Sequence, residues 1–195
     1  MRNRLAELIL KRIRMKPLFP SEHTPPACAS PPKKVLLLGL GNDLLGDDAV
    51  GLNVARHIRS RLSEHDRLEV RESSEMGLSL LDLVAGFDEL VLVDAVVTGQ
   101  ATPGFVHQLE ESDLPVLPQG SPHFLGIGEL LALGRRLGLT VPRRARIFAV
   151  EVKDPFTVRV GLSEPVRQAF PAVVEYILRA ARELAGGQAA QRSQK

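Results

Sequence analysis

Between Val35 and Leu184 the hydrophobic pattern alternates between short uninterrupted apolar runs and longer stretches with helical spacing. The runs VLLL (Val35–Leu38), ELVLV (Glu89–Val93) and RIFAV (Arg146–Val150) do not alternate polar with apolar. That is the signature of strands covered on both faces of a parallel sheet. Shorter strands are expected at Leu68–Arg71 and Gly104–Leu109. Between them, Ala49, Leu52, Val54, Ala55 and Ile58 recur at helical intervals, and so do Met76, Leu80, Leu81 and Val84. Further helices are predicted over Phe124–Leu137, entered from Ser121-Pro122-His123, and over Glu164–Leu184. Strands alternating with helices predict an α/β three-layer sandwich: a mostly parallel, twisted sheet of about five strands with helices on both faces.

The first 33 residues do not share this pattern. Residues 16–34 hold six prolines and read as a linker that cannot keep regular structure. The expected organisation is a basic, proline-rich extension over 1–33, a folded domain over 34–185 and a polar tail over 186–195. Leu5, Ile9 and Ile13 could form a narrow basic amphipathic stripe, but a disordered extension, or a start at Met15 instead of Met1, is the simpler reading.

Charge follows the same division. The chain has 25 Lys and Arg against 23 Asp and Glu, yet eight of those bases and only Glu7 and Glu22 fall in residues 1–34. The remainder is therefore mildly acidic, which argues against a nucleic-acid partner. The absence of Trp and the single Tyr make a base-stacking surface improbable. No apolar run approaches the roughly 20 residues of a membrane helix, so no membrane partner is expected. Cys28 is the only cysteine, which excludes an internal disulfide and suits a cytoplasmic location.

Candidate chemistry begins after the first strand. GLGNDLLGDD (Gly39–Asp48) looks like a nucleotide loop, but its glycines have the wrong spacing for a dinucleotide fingerprint. Gly41 and Gly46 match the spacing of a phosphate loop, but Asp47 and Asp48 replace the lysine and hydroxyl residue that should follow. Two carboxylates there repel phosphate, so the nucleotide reading fails on sign. Asp47 is expected to cap the following helix, and Asp48 is the residue left over for chemistry. Asp94 ends the buried ELVLV run, where a carboxylate is costly unless paired, hydrogen-bonded or bound to a cation. Parallel strands would bring Asp48 and Asp94 to one edge of the sheet. With His123 they would offer two oxygens and one nitrogen, a set suited to a divalent transition metal.

Four blocks then carry a resemblance: GLGNDLLGDDAVG (Gly39–Gly51), LVLVDAV (Leu90–Val96), SPHFLG (Ser121–Gly126) and AVEVKDPFTVRVGLSEPVRQAF (Ala149–Phe170). In this order the chain resembles the hydrogenase maturation proteases, which remove the C-terminal extension from the large subunit of nickel–iron hydrogenases. The resemblance implies that Asp48, Asp94 and His123 are both the catalytic and the metal-binding residues. It implies nickel, presented by the large-subunit precursor, as the metal, and a protease acting as a monomer. Glu151 and Ser121 lie in matched blocks as supporting candidates. One segment departs from the pattern: Glu72-Ser-Ser-Glu-Met-Gly77 stands where the family has a glycine-rich stretch, and Glu75 adds charge near the expected cleft.

The same three residues fit other roles. They could hold a metal of their own that lowers the pKa of a water to about 7, or Asp48 and Asp94 could share a proton as an acid–base dyad. A peptidyl-tRNA hydrolase-like enzyme and a non-proteolytic nickel chaperone are the alternatives by class. No H-E-x-x-H motif is present.

Overall fold

The computed structural model describes residues 33–63, 66–110 and 127–186. Five strands form one sheet: β1 (Val35–Leu40), β2 (Leu68–Ser73), β3 (Glu89–Val96), β4 (Val106–Glu110) and β5 (Arg144–Glu151). Four α-helices accompany them: α1 (Val50–Arg59), α2 (Leu80–Val84), α3 (Ile127–Arg136) and α4 (Glu164–Gly186). The strand order is β2-β1-β3-β5-β4, with the first four strands parallel and β4 antiparallel to β5.

The central strands are uninterrupted apolar runs because both of their faces are covered. Val35, Leu37, Val91, Val93, Phe148 and Val150 pack with Val54 and Ile58 of α1 and with Val173, Val174 and Ile177 of α4. Leu36, Leu38, Leu90, Leu92 and Ile147 point the other way, onto Leu80, Leu81 and Val84 of α2 and Ile127, Leu130 and Leu131 of α3. Neighbouring residues of one strand thus serve two separate cores, and the predicted three layers are present.

The order of the strands decides where a site can form. From β1 the chain crosses by α1 to β2 on one side; from β2 it returns by α2 to β3 on the other side of β1. Helices α1 and α2 therefore leave the carboxyl edge in opposite directions, and the gap between β1 and β3 is the topological switch point of the sheet.

Several elements differ from their predicted bounds for local reasons. The stripe assigned to Met76–Ala85 begins with a 3-10 turn at Gly77–Ser79, and Met76 and Leu78 are exposed instead of packed. Gly77 has φ +65°, which takes the chain out of helical geometry at that point. The strand expected from Gly104 begins at Val106 and runs antiparallel, since the connection from β3 is too short to hold a crossover helix. The helix expected from Phe124 is described from Ile127, and its approach through Ser121-Pro122-His123 lies outside the described residues. Cys28 and the extension before Lys33 lie outside them too. Among the described residues no helix is long and apolar enough to cross a membrane.

Candidate functional site

The glycine-rich loop is built by close approach of α1 to the sheet. A Cβ on Gly51 would lie 2.3 Å from the carbonyl oxygen of Leu40 and 2.4 Å from that of Val93. One on Gly39 would lie 2.2 Å from the carbonyl oxygen of Gly51. Gly39 therefore sits inside β1 to let the helix down onto the strand, and the turn that follows is made at Gly41, at φ +143°. Asn42 closes the turn through its side-chain oxygen, which accepts the Leu44 N–H at 3.0 Å. Because Gly51 meets the backbone of Val93, the start of α1 sits directly over the second half of β3.

That packing places the two candidate aspartates. Asp48 lies in a 3-10 turn, Gly46–Ala49, which leads into α1, and is 8% exposed. The tighter turn comes first and α1 starts at Val50. Asp94 is wholly buried, one residue beyond the Val93 carbonyl that Gly51 meets, and accepts the Ala95 N–H at 2.8 Å. It does not end the strand, since β3 runs on through Ala95 and Val96. Both residues thus stand at the switch point between β1 and β3. His123, the third expected member, lies outside the described residues, as does Ser121. Among the described residues no three His, Cys, Asp or Glu side chains gather in a way that could hold a metal ion.

Asp47 does something other than the expected capping. No side chain caps the 3-10 turn that contains it. Its carboxylate, 1% exposed, accepts the N–H of Ser163 at 2.6 Å and faces the Arg159 guanidinium at 3.4 Å. Ser163 immediately precedes α4, so Asp47 ties the glycine loop to the start of a helix more than a hundred residues away. Two backbone bonds reinforce the tie, Arg159 N–H to Leu44 at 3.1 Å and Gly46 N–H to Arg159 at 2.9 Å, which make a parallel bridge between Leu45 and Arg159.

A further buried carboxylate, 1% exposed, stands at the same edge. Glu151 ends β5, opposite Val96 of β3. It accepts the Thr98 N–H and the Gly99 N–H, both at 2.9 Å, the Thr98 hydroxyl at 2.6 Å, and shares a 2.8 Å bond with His107 Nε2. Burial pushes its pKa up, but the bonds from Thr98, His107 and Gly99 outweigh burial and hold it below the usual glutamate range. Glu151 fixes the loop that leaves β3 just past Asp94. The sequence marked Glu151 only by its block; its donors on Thr98, Gly99 and His107 carried no signal, because they meet it only through the β3–β5 and β4–β5 pairings.

The outer flank is a surface network. Arg56 of α1 clamps Asp43 with two 2.7 Å bonds and also pairs with Glu72 at the end of β2, which Arg59 joins at 2.9 Å. The Arg56 bond holds the Asp43 carboxyl below its ordinary value, and Asp43 in turn raises Arg56. The departing segment Glu72–Gly77 therefore has one of its two acids, Glu72, engaged with α1, while Glu75 is exposed. A cavity of about 480 Å³ lies between α1 and α4, lined in part by Arg56, His57, Leu162 and Phe170. Neither Asp48 nor Asp94 lines it, so it is separate from the crevice.

A family model described as hydrogenase maturation protease matches residues 52–180. The hydrogenase 2 maturation protease of Escherichia coli (strain K12) is 30% identical over 152 residues, covering 77% of this chain and 92% of that protein. The hydrogenase expression/formation protein HupD of Rhizobium leguminosarum bv. viciae is 26% identical, covering 78% of this chain and 76% of its own length. The hydrogenase maturating endopeptidase HybD from E. coli superposes with a TM-score of 0.67 at 29% identity, over 77% of this chain and 93% of that one.

Proposed function

This chain belongs to the hydrogenase maturation protease family, and from that premise we propose that it is the endopeptidase that removes the C-terminal extension of a nickel–iron hydrogenase large-subunit precursor once nickel is in place. The observation that carries the proposal is the pair of buried carboxylates, Asp48 in the turn that follows β1 and Asp94 within the adjacent parallel strand β3, at the switch point of the sheet. A strand holds Asp94 and the 3-10 turn that leads into α1 holds Asp48, so neither depends on a loose loop for its position.

Nickel enters this reading as part of the substrate. The donor set suits it: two carboxylate oxygens and an imidazole nitrogen fill only part of the coordination sphere of a divalent transition metal and leave positions for the precursor's own ligands. In the proposed mechanism Asp48 and Asp94 supply the oxygens and His123 the nitrogen. Recognition of the loaded centre fixes the tail against the crevice and converts peptide hydrolysis into a reaction of a held substrate. Glu151 acts at one remove by fixing the loop after Asp94. No membrane or nucleic acid takes part, and we place the reaction in the cytoplasm.

The test is incubation of the purified protein with nickel-loaded and nickel-free precursor, followed by the mass of the large subunit. Cleavage of the loaded form alone is expected. Asp48→Asn, Asp94→Asn and His123→Ala should each abolish it while the circular dichroism of the fold is kept. Cleavage of both forms would show that nickel is not sensed; binding of the loaded form without cleavage would make the chain a chaperone.

A further inference from the structure

Next to the crevice lies a run of apolar side chains that the fold does not cover. Phe156, Val158 and Val160 are 71%, 79% and 95% exposed, and Leu44, on the glycine loop itself, is 67% exposed. Single exposed apolar residues are ordinary; four on two hydrogen-bonded segments form a patch. The two segments meet at the Leu45–Arg159 bridge.

The bridge also specifies what can sit on the patch. It turns the N–H and C=O of Arg159 inward, onto Leu44 and Gly46. The peptide groups of its neighbours Val158 and Val160 take no part in the bridge. Among the described residues neither makes a backbone hydrogen bond. An edge with free donors and acceptors, and apolar side chains on every second residue, is matched by an extended polypeptide with the same alternation. A helix satisfies its own backbone and would leave these groups unpaired.

We propose that Val158 and Val160, with Phe156 and Leu44, form a docking edge that receives an extended, apolar part of the precursor's C-terminal extension by strand addition. This rests on the reading that the extension is the substrate. The occupant is chosen by continuity: the edge is bonded through Leu44 and Gly46 to the loop that carries Asp48, and Asp47 fixes the same segment through Ser163. A chain laid along this edge is led towards the crevice.

The experiment measures KM and kcat for processing of the nickel-loaded precursor by the full chain and by Val158→Asp and Val160→Asp, with Leu137→Asp as the exposed control at the opposite edge of the sheet. Burying either valine against a substrate strand predicts a KM raised about tenfold or more, with kcat at saturation retained and the control unchanged. Circular dichroism checks that both variants fold. Wild-type KM in both valine variants overturns this proposal and leaves the protease reading standing. Absence of processing by the wild-type chain overturns both. Sedimentation showing a wild-type dimer that dissociates in Val160→Asp would assign the edge to a second copy and overturn the proposal as well.

Discussion

Replacing Asp47 with alanine removes the only side-chain link described between the glycine loop and the start of α4. The carboxylate is 1% exposed and accepts a 2.6 Å bond from the Ser163 N–H. A hydrogen bond to a charged acceptor is worth about 1.5–3 kcal/mol. The Arg159 contact, at 3.4 Å to a half-exposed guanidinium, adds at most about 1 kcal/mol. Asp47→Ala should therefore cost about 2–3 kcal/mol, and Asp47→Asn less, because the amide keeps an oxygen for Ser163. Urea unfolding at neutral pH reads both, with the slope unchanged if only stability moves. Processing should fall with stability, since Asp48 is the next residue on the same turn. A loss in the alanine variant below about 0.5 kcal/mol, the level of an ordinary surface change, would refute the argument and return Asp47 to the role of a simple first-turn acid.

Two further outcomes follow from the site. Glu151→Gln keeps one acceptor oxygen but cannot satisfy the set of donors from Thr98, Gly99 and His107, and should lose about 2–3 kcal/mol at pH 7. The folded carboxyl has a depressed pKa, so the unfolded chain takes up its proton first; the stabilisation is full above the ordinary glutamate value of about 4.3 and is lost as pH falls through the folded value. Unfolding curves for wild type and Glu151→Gln should thus converge on acidification below about pH 4, and a gap that stays constant would discount the network. Gly51→Ala puts a methyl group 2.3 Å from one carbonyl and 2.4 Å from another, which must push α1 off the sheet. A loss of at least about 1–3 kcal/mol is expected, seen calorimetrically as a lower Tm; a wild-type Tm with full processing would contradict the close packing.

The readings that held share a local cause. Val35–Leu38 and Leu90–Val93, within the run that Glu89 opens, were recognisable as doubly covered strands because each of these residues faces one of two cores and is apolar. The readings that moved depended on distant partners. Asp47 has the position of a helix cap, yet its donor is Ser163, which no pattern near residue 47 announces. Gly39 opens the glycine-rich block in the sequence, but the contact that requires glycine there comes from Gly51 across the strand. Met76 fits the helical stripe by spacing, and the positive φ of Gly77 excludes it.

The sequence alone determined the layered α/β class, the glycine loop, the four family blocks and the identity of Asp48, Asp94 and His123 as candidates, because periodicity and residue chemistry are local properties. Tertiary structure decided that β2 and β3 flank β1 on opposite sides, and hence that the glycine loop and Asp94 stand at one switch point. It also decided that Glu151 braces the loop beyond Asp94, and that exposed Val158 and Val160 flank a bridge to the glycine loop. Such relations arise from pairings between segments far apart in the chain, and strand order and backbone contact are not encoded in the spacing of residues along any one of them.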